Sequence, residues 1–157
     1  MESSSFASVP LMHKMAAEPL NSPQRRQITV LVVEDNPDDV ALLQIAAHRV
    51  CPDICFLFVE GAAEALDYLQ REGGPLPDVV LIDVGLRAID GFELVREVRD
   101  LPRLMGLKIL MWSGGVAPDL LSQTLAAGAD FLFQKGASFD DLMAEVKQIC
   151  DVARKAA

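Results

Sequence analysis

The chain has 157 residues, of which 51% are hydrophobic, enough to fill the core of one ordinary domain but not of two. Its formal net charge of -9 gives a surface that repels phosphate backbones and anionic lipid, which argues against direct nucleic-acid binding. No apolar run has the length of a membrane span, and the first residues lack the apolar core of a signal peptide. We therefore expect a cytoplasmic protein that does not contact membranes.

The three cysteines, Cys51, Cys55 and Cys150, are too few and too scattered for a disulfide framework. Cys51 and Cys55 have no second pair of ligands nearby, which argues against a zinc site. An odd number of thiols with apolar neighbours is typical of a reducing compartment, so we expect free thiols in the cytoplasm.

Residues 1–27 contain three of the nine prolines and five serines, and they show no sustained hydrophobic period. This composition predicts a flexible N-terminal leader. A short amphipathic docking segment at residues 11–17 remains an alternative. The folded domain is expected to cover residues 28–157.

From Ile28 onward, apolar and β-branched runs alternate with segments of helical periodicity. The predicted strands are residues 28–33, 54–59, 79–82, 107–112 and 130–134. The predicted helices are residues 37–50, 62–71, 91–99, 118–127 and 139 to near the C-terminus. This alternation predicts an α/β fold, a flavodoxin-like (βα)5 three-layer sandwich whose parallel sheet has the strand order 2-1-3-4-5.

Local residue patterns place several helix ends. Asn36 followed by Pro37 is typical of a helix start, because asparagine supplies a capping oxygen and proline lacks only an N–H that would be unbonded anyway. Ser138 with Asp141 three residues later predicts a capping box at the start of the last helix. Gly128 is expected to end the fourth helix in a left-handed conformation.

Carboxylates follow two of the predicted strands. Glu34 and Asp35 come after the first strand, and Asp83 ends the third. If these strands are neighbours, three carboxylates converge and repel one another by several kcal/mol unless one is protonated or a divalent cation joins them. The cluster therefore predicts a Mg²⁺ site, although spacing alone does not prove the strand order, and a single Asp there would be better explained as a turn cap.

Two further polar residues end later strands. Ser113 follows the fourth strand and Lys135 follows the fifth. Together with the carboxylates they suit the handling of a phosphoryl group, with Asp83 as nucleophile and with Ser113 and Lys135 holding phosphoryl oxygens. Taken singly, Ser113 is equally explained as a hydroxyl bonded to backbone, and Lys135 as a structural ion pair.

Four stretches, LVVEDNPDD, VVLIDVGLRAIDG, ILMWSGG and GADFLFQKGAS, occur in this order along the chain. They resemble the receiver domain of two-component response regulators, and the resemblance covers about residues 28–153. The steps of 30 residues from Asp83 to Ser113 and of 22 residues from Ser113 to Lys135 agree with the spacing in that family.

The resemblance implies a role for each matching residue. Asp83 would be the phosphoacceptor that attacks the phosphohistidine of a sensor histidine kinase. Asp35, Asp83 and the backbone carbonyl of Gly85 would bind Mg²⁺, with Glu34 helping through water. Ser113 would be the switch hydroxyl, and Lys135 would pair with the phosphoryl group. The protein would be a phosphoacceptor, able to catalyse its own phosphorylation and dephosphorylation, rather than an enzyme acting on a separate substrate.

The expected partners follow from the same resemblance. We expect no output domain after the receiver, and therefore a single-domain regulator that binds a downstream protein through its fourth helix, fifth strand and fifth helix, or passes the phosphoryl group to a histidine phosphotransfer protein. The sequence VEDNPDD is similar to stand-alone receivers that serve phytochrome-type kinases, whereas KGAS is similar to receivers of DNA-binding regulators. The subfamily and the formation of a homodimer stay open.

The sequence departs from the family pattern at three places. Leu86 and Arg87 replace the usual Met-Pro, and Arg87 places a cation near the mouth of the site. Gly136 replaces a proline that follows the lysine in a cis peptide, and we expect a trans bond because cis would cost about 3 kcal/mol here. Leu132 occupies the aromatic switch position, with Phe131 and Phe133 expected on the opposite face of the strand.

Two other functions were weighed. The departures permit a docking or dimerisation module that is never phosphorylated. A Mg²⁺-dependent phosphohydrolase with an aspartate nucleophile is disfavoured, because such enzymes need a second carboxylate two residues after the nucleophile and Gly85 stands there.

Overall fold

The computed structural model describes residues 26–115 and 117–157. The strands β1 to β5 are Thr29–Val33, Cys55–Val59, Val79–Asp83, Lys108–Ser113 and Phe131–Gln134. The helices α1 to α5 are Pro37–Val50, Ala62–Gln70, Gly91–Arg99, Leu120–Ala127 and Phe139–Ala156, and a short 3₁₀ helix covers Pro102–Leu104. Each predicted strand and helix is therefore present, and the 3₁₀ helix is an addition.

The five strands form one parallel sheet in the order β2-β1-β3-β4-β5, which confirms the predicted fold. β3 lies at the centre and every one of its residues is buried, as its unbroken apolar sequence predicts. The register pairs Val33 of β1 with Ile82 of β3, and Asp83 of β3 with Trp112 of β4. The carboxyl ends of these three strands therefore lie side by side at one edge of the sheet.

Alternate residues of the strands feed two hydrophobic cores, one on each face of the sheet. Leu31 and Ile82 belong to the core that is covered by α2, α3 and α4. Val32 and Leu81 belong to the core on the opposite face, which is covered by α1 and α5. Because both faces are covered, the loops beyond the strand ends are the part of the sheet that remains open to a ligand.

The predicted helix ends are confirmed. The Asn36 side chain accepts a hydrogen bond from the backbone N–H of Asp38 at 2.9 Å. Ser138 and Asp141 form a reciprocal capping box at the start of α5. Gly128 ends α4 with φ = 107°, a left-handed conformation that favours glycine.

Arg99 joins α3 to the loops that precede β4 and β5. Its Nε donates to the Gly128 carbonyl at 2.7 Å, and one terminal nitrogen donates to the Leu107 carbonyl at 2.7 Å. The other terminal nitrogen lies 3.0 Å from the Asp130 carboxylate, which also accepts the N–H of Ile109 at 2.9 Å. No local sequence pattern indicates this network, because its members lie on separate segments of the chain.

Replacing Arg99 with alanine is expected to lower the free energy of unfolding by about 2–3 kcal/mol, because part-buried acceptors lose their donor. Urea denaturation followed by circular dichroism would measure the loss. The matched control is Arg96→Ala, an exposed arginine of the same helix, for which a change within about 0.5 kcal/mol is expected. Equal losses in the two variants would show that the Arg99 network does not stabilise the fold.

The cysteines correct the expectation of free thiols. Cys51, directly after α1, and Cys150, within α5, form a disulfide. Both residues are buried in the core between α1, α5 and the sheet. Spacing could not reveal this pair, because its members are 99 residues apart and meet only when the two helices pack together. Cys55 is a free thiol, as expected.

The region before β1 is described only from Arg26 onward. The predicted flexible leader lies almost wholly outside the described residues, as does the alternative docking segment at residues 11–17. Arg26 forms an ion pair with Asp78, whose carboxylate also accepts the N–H of Thr29 at 2.9 Å. Among the residues that are described, no helix has both the length and the apolarity to span a bilayer.

Candidate functional site

Three carboxylates meet where β1 and β3 end. Glu34, Asp35 and Asp83 each offer an oxygen, and these oxygens all lie within 4.8 Å of one another. Glu34 and Asp83 are 1% and 7% exposed, so neither charge is well hydrated. The strand order thus brings together the acids that the sequence predicted to converge.

Burial and mutual repulsion perturb this cluster. Burial raises the pKa of Glu34 from its ordinary value of 4.5 to about 7. The hydrogen bond from the Asn36 N–H lowers the pKa, the charge of Asp83 raises it, and Lys135 lowers it. A proton or a cation on this cluster is therefore favoured near neutral pH.

The donor set fits Mg²⁺, because hard carboxylate oxygens are the ligands that this ion takes in proteins. A divalent cation would also offset the repulsion among the three acids. Gly85 lies two residues after Asp83 and donates its N–H to the Asp83 Oδ1 at 3.1 Å. The role of the Gly85 carbonyl as a further ligand remains a prediction.

Lys135 reaches into the acid cluster from the end of β5. Its Nζ lies 2.8 Å from the Asp39 Oδ2, 3.1 Å from the Glu34 Oε2 and 3.6 Å from the Asp83 Oδ1. Burial by itself would lower the pKa of Lys135, but the nearby carboxylates of Asp39, Asp83 and Glu34 outweigh it and raise the pKa above 10.5. Lys135 is therefore a permanent positive charge at this site.

Asp39 is a further member of the site, although it lies in the first turn of α1 and not at a strand end. Its position in the first turn of that helix lets its carboxylate reach Lys135, which is 96 residues away in the chain. The sequence did contain one signal for Asp39. Glu34 and Asp35 immediately precede α1, so an acid four residues after Asp35 falls in the first turn of that helix and near the site.

The ring of Trp112 also lies against the lysine. It is the single tryptophan of the sequence and pairs in register with Asp83. The Lys135 Nζ lies 4.6 Å from the centre of the Trp112 ring, which is a cation–π distance. The fluorescence of Trp112 can therefore report on the position of Lys135.

Ser113 ends β4, one residue after Trp112, and is buried. Its hydroxyl oxygen accepts the N–H of Gly115 at 3.0 Å, and its carbonyl accepts the N–H of Lys135 at 2.7 Å. The backbone of Ser113 thus fixes the point at which Lys135 leaves the sheet. The role of its hydroxyl as a switch remains a prediction.

The residues that replace the usual Met-Pro lie at the edge of the site. Leu86 is buried in the core beneath α3. Arg87 donates its backbone N–H to the Asp35 Oδ2 at 3.0 Å, and its Nε lies 3.8 Å from the same oxygen. The Arg87 side chain is otherwise exposed, so it places a cation at the mouth of the site.

The loop after Lys135 is tied to α5. The described part of the chain contains no cis peptide bond, which agrees with the expectation for Gly136. The Gly136 N–H, which a proline would lack, donates to the Glu145 Oε2 at 3.2 Å. Burial raises the pKa of Glu145, the hydrogen bond from Gly136 opposes this, and the charge of Asp141 adds to it. A Cβ on Gly136 would lie only 2.2 Å from that of Asp141, so the close packing also requires glycine.

The residues around the aromatic switch position point as predicted. Leu132 packs on the core beneath α3 and α4, whereas Phe133 packs on the core of the opposite face. Phe131 is 49% exposed. Leu121 and Leu125 of α4 are exposed as well, and we call these three exposed apolar residues the α4–β5 surface.

The parallel sheet, with three acids and a lysine at its carboxyl edge, defines a receiver domain. The family model of the response regulator receiver domain matches residues 30–147, which is most of the chain. The protein therefore belongs to the response regulator receiver domains of two-component signalling, as the four sequence stretches indicated.

Individual relatives agree with this assignment. An uncharacterized 14.6 kDa protein in the sodA1 3′ region of Leptolyngbya boryana is 31% identical over 130 residues, which cover 79% of this chain and 91% of that protein. The probable methanogenesis regulatory protein FilR2 of Methanothrix harundinacea is 29% identical over 123 residues, which cover 76% of this chain and 79% of that protein. The crystal structure of the phosphorylated cyanobacterial phytochrome response regulator RcpA is similar with a TM-score of 0.75 and 26% identity, covering 84% of this chain and 97% of that one.

Proposed function

We propose that this protein accepts a phosphoryl group on Asp83 from the phosphohistidine of a sensor histidine kinase and signals by binding another protein. The observation that carries the proposal is the meeting of Glu34, Asp35, Asp83 and Lys135 at one edge of the sheet. Such a group combines a nucleophilic carboxylate, acids able to hold a cation, and a fixed positive charge for phosphoryl oxygens.

In the proposed reaction an oxygen of Asp83 forms a bond to phosphorus while the bond from phosphorus to the histidine nitrogen breaks. Lys135 binds one phosphoryl oxygen, and the Ser113 hydroxyl binds another. Mg²⁺, held by Asp35, Asp83 and the Gly85 carbonyl with help from Glu34, would supply positive charge that offsets the acids and the phosphoryl oxygens.

The phosphoryl group carries a charge of about -1.5 to -2, which replaces the single charge of the Asp83 carboxylate, and Lys135 and Ser113 are drawn toward it. Both residues lie on strand ends next to the α4–β5 surface, so their movement would change that surface and the start of α5. A switch from 1:99 to 99:1 between two such states needs about 5.5 kcal/mol of differential interaction. Leu132 in place of an aromatic residue means that this movement must be transmitted without the family's aromatic switch.

The proposed partners are a sensor histidine kinase and either a downstream protein or a histidine phosphotransfer protein. The likeness to the phytochrome response regulator RcpA and the sequence VEDNPDD both favour a phytochrome-type kinase. A cytoplasmic location is part of this proposal, since such kinases donate phosphoryl groups there.

Intact-mass measurement after incubation with a small acyl phosphate tests the proposal. The expected result is the addition of one phosphoryl group in the presence of Mg²⁺, and little addition when a chelator removes the ion. A protein that gains no mass under either condition would instead fit the docking or dimerisation module, and turnover of many equivalents of a phosphate ester would indicate a phosphohydrolase.

Replacing Asp35 with asparagine is expected to weaken Mg²⁺ binding about tenfold or more, because a charged ligand is lost from the cluster. Titration calorimetry, or the emission of Trp112, would measure the change. Asp67→Asn, which removes an exposed acid from α2, serves as the control and should leave the affinity within about twofold of the wild type. Equal affinities for the wild type and Asp35→Asn would place the ion elsewhere.

A further inference from the structure

We propose that Asp39 is a positioning residue that holds the Lys135 ammonium on the α1 side of the site until a phosphoryl group arrives. The consequence for phosphoryl transfer rests on the proposed function above, whereas the positioning itself does not. Asp39 lies within the stretch LVVEDNPDD, but the resemblance to receiver domains implies no role for it.

The distances show which acid holds the lysine. The Lys135 Nζ makes hydrogen bonds to Asp39 at 2.8 Å and to Glu34 at 3.1 Å, while Asp83 at 3.6 Å lies beyond hydrogen-bonding distance. An ammonium group has three donors and no acceptor, so two of its three donors are bonded to Asp39 and Glu34 and not to the phosphoacceptor. Asp39 therefore makes the shortest of the three contacts.

Trp112 supports the same position of the lysine. The ammonium lies 4.6 Å from the centre of its ring, so this aromatic face contacts the charge together with the carboxylates of Asp39 and Glu34. Asp39, Trp112 and Lys135 also line a cavity of about 180 Å³ that lies between α1 and the start of α5. The lysine therefore has free volume beside it, and its position depends on these contacts rather than on close packing all round.

A phosphoryl group on Asp83 must compete with Asp39 for this ammonium. Two of the three ammonium donors now point to Asp39 and Glu34, so a phosphoryl group that draws Lys135 toward Asp83 must work against these two ion pairs. Removing the charge of Asp39 should free the lysine for the incoming group. Asp39 thus opposes the binding of the donor before transfer and sets how far the lysine moves afterwards.

The first experiment reads the position of Lys135 without any phosphoryl donor. Lys135→Met defines the emission spectrum of Trp112 without its cation. Asp39→Asn is expected to shift the spectrum toward that of Lys135→Met, and Asp39→Glu should restore the wild-type spectrum. The matched control is Asp38→Asn, which removes the same charge from the adjacent exposed position and should leave the spectrum unchanged.

The second experiment measures phosphorylation rates against the concentration of a small acyl phosphate. Asp39→Asn is expected to lower the half-saturating donor concentration about three- to fivefold, as the loss of one competing ion pair predicts. Asp38→Asn should change it less than Asp39→Asn does. Circular dichroism of each variant would show that the fold is kept.

Each result decides a separate point. A wild-type spectrum in Asp39→Asn, or in Lys135→Met, overturns the positioning role, as does an equal shift in Asp38→Asn. A wild-type protein that takes up no phosphoryl group overturns the proposed function, but the emission spectra still decide whether Asp39 holds the lysine. If the spectra shift as expected while the half-saturating concentration does not change, Asp39 holds the lysine without opposing the donor, and that part of the proposal is wrong.

Discussion

Asp83→Asn is expected to take up no phosphoryl group under conditions in which the wild type gains one. The carboxamide oxygen is a far weaker nucleophile than a carboxylate, and the substitution also removes one charge from the acid cluster. The side chain keeps its size, and its oxygen can still accept the N–H of Gly85, which lies 3.1 Å from the Asp83 Oδ1. Loss of phosphorylation would therefore reflect chemistry rather than unfolding. Intact-mass measurement with an acyl phosphate and Mg²⁺ gives the result directly.

Asp90→Asn is the matched control for this prediction. Asp90 caps α3 by accepting the N–H of Glu93 at 2.8 Å, and asparagine caps a helix equally well. This variant should gain one phosphoryl group like the wild type. Full phosphorylation of Asp83→Asn, or a phosphoryl group mapped by fragmentation to another residue, would contradict the assignment of the phosphoacceptor.

Gly91→Ala is expected to lower the free energy of unfolding by about 2–4 kcal/mol, the largest effect on stability that we predict. A Cβ at this position would lie 2.4 Å from the Asp83 carbonyl oxygen and 2.9 Å from the Val84 Cα. Both atoms belong to the backbone at the end of the central strand, so they cannot move aside as a flexible side chain would. The same clash should disturb the position of Asp83, and urea denaturation monitored by circular dichroism would measure the stability.

Gly106→Ala provides the comparison for Gly91→Ala. A Cβ on Gly106 would meet no atom within 4 Å, and the backbone there does not have positive φ. The expected change is within about 1 kcal/mol and can be stabilising, because alanine reduces the freedom of the unfolded chain. A wild-type unfolding midpoint for Gly91→Ala would show that the end of β3 tolerates a side chain at this place.

The order of strands and helices could be read from the sequence because the signals involved are local. A buried strand such as Val79–Asp83 is recognised from consecutive apolar residues, and a cap such as Asn36 acts on an N–H two residues away. The predicted ends of helices were less accurate where the end depends on a neighbouring turn. α4 begins at Leu120, two residues after the predicted start, because the Leu120 N–H is bonded to the Ala117 carbonyl in a preceding turn.

The acids of the site were predictable for the same reason, once the strand order was assumed. Glu34 and Asp83 each end an apolar strand, and the parallel sheet places those ends together. The position of Lys135 on β5 was also predictable, but its contacts were not. Its nearest partner, Asp39, lies 96 residues away in the chain, and the two residues meet only because α1 packs on the sheet.

By itself the sequence determined the alternation of strands and helices, the helix caps, and the polar residues that end the strands, since each of these depends on residues within a few positions of one another. Only the tertiary structure decided that Asp39 contacts Lys135, that Arg99 bonds to the loops before β4 and β5, that Gly91 must lack a side chain, and that Cys51 meets Cys150. These contacts join distant segments, and their geometry is set by how the helices pack on the two faces of the sheet.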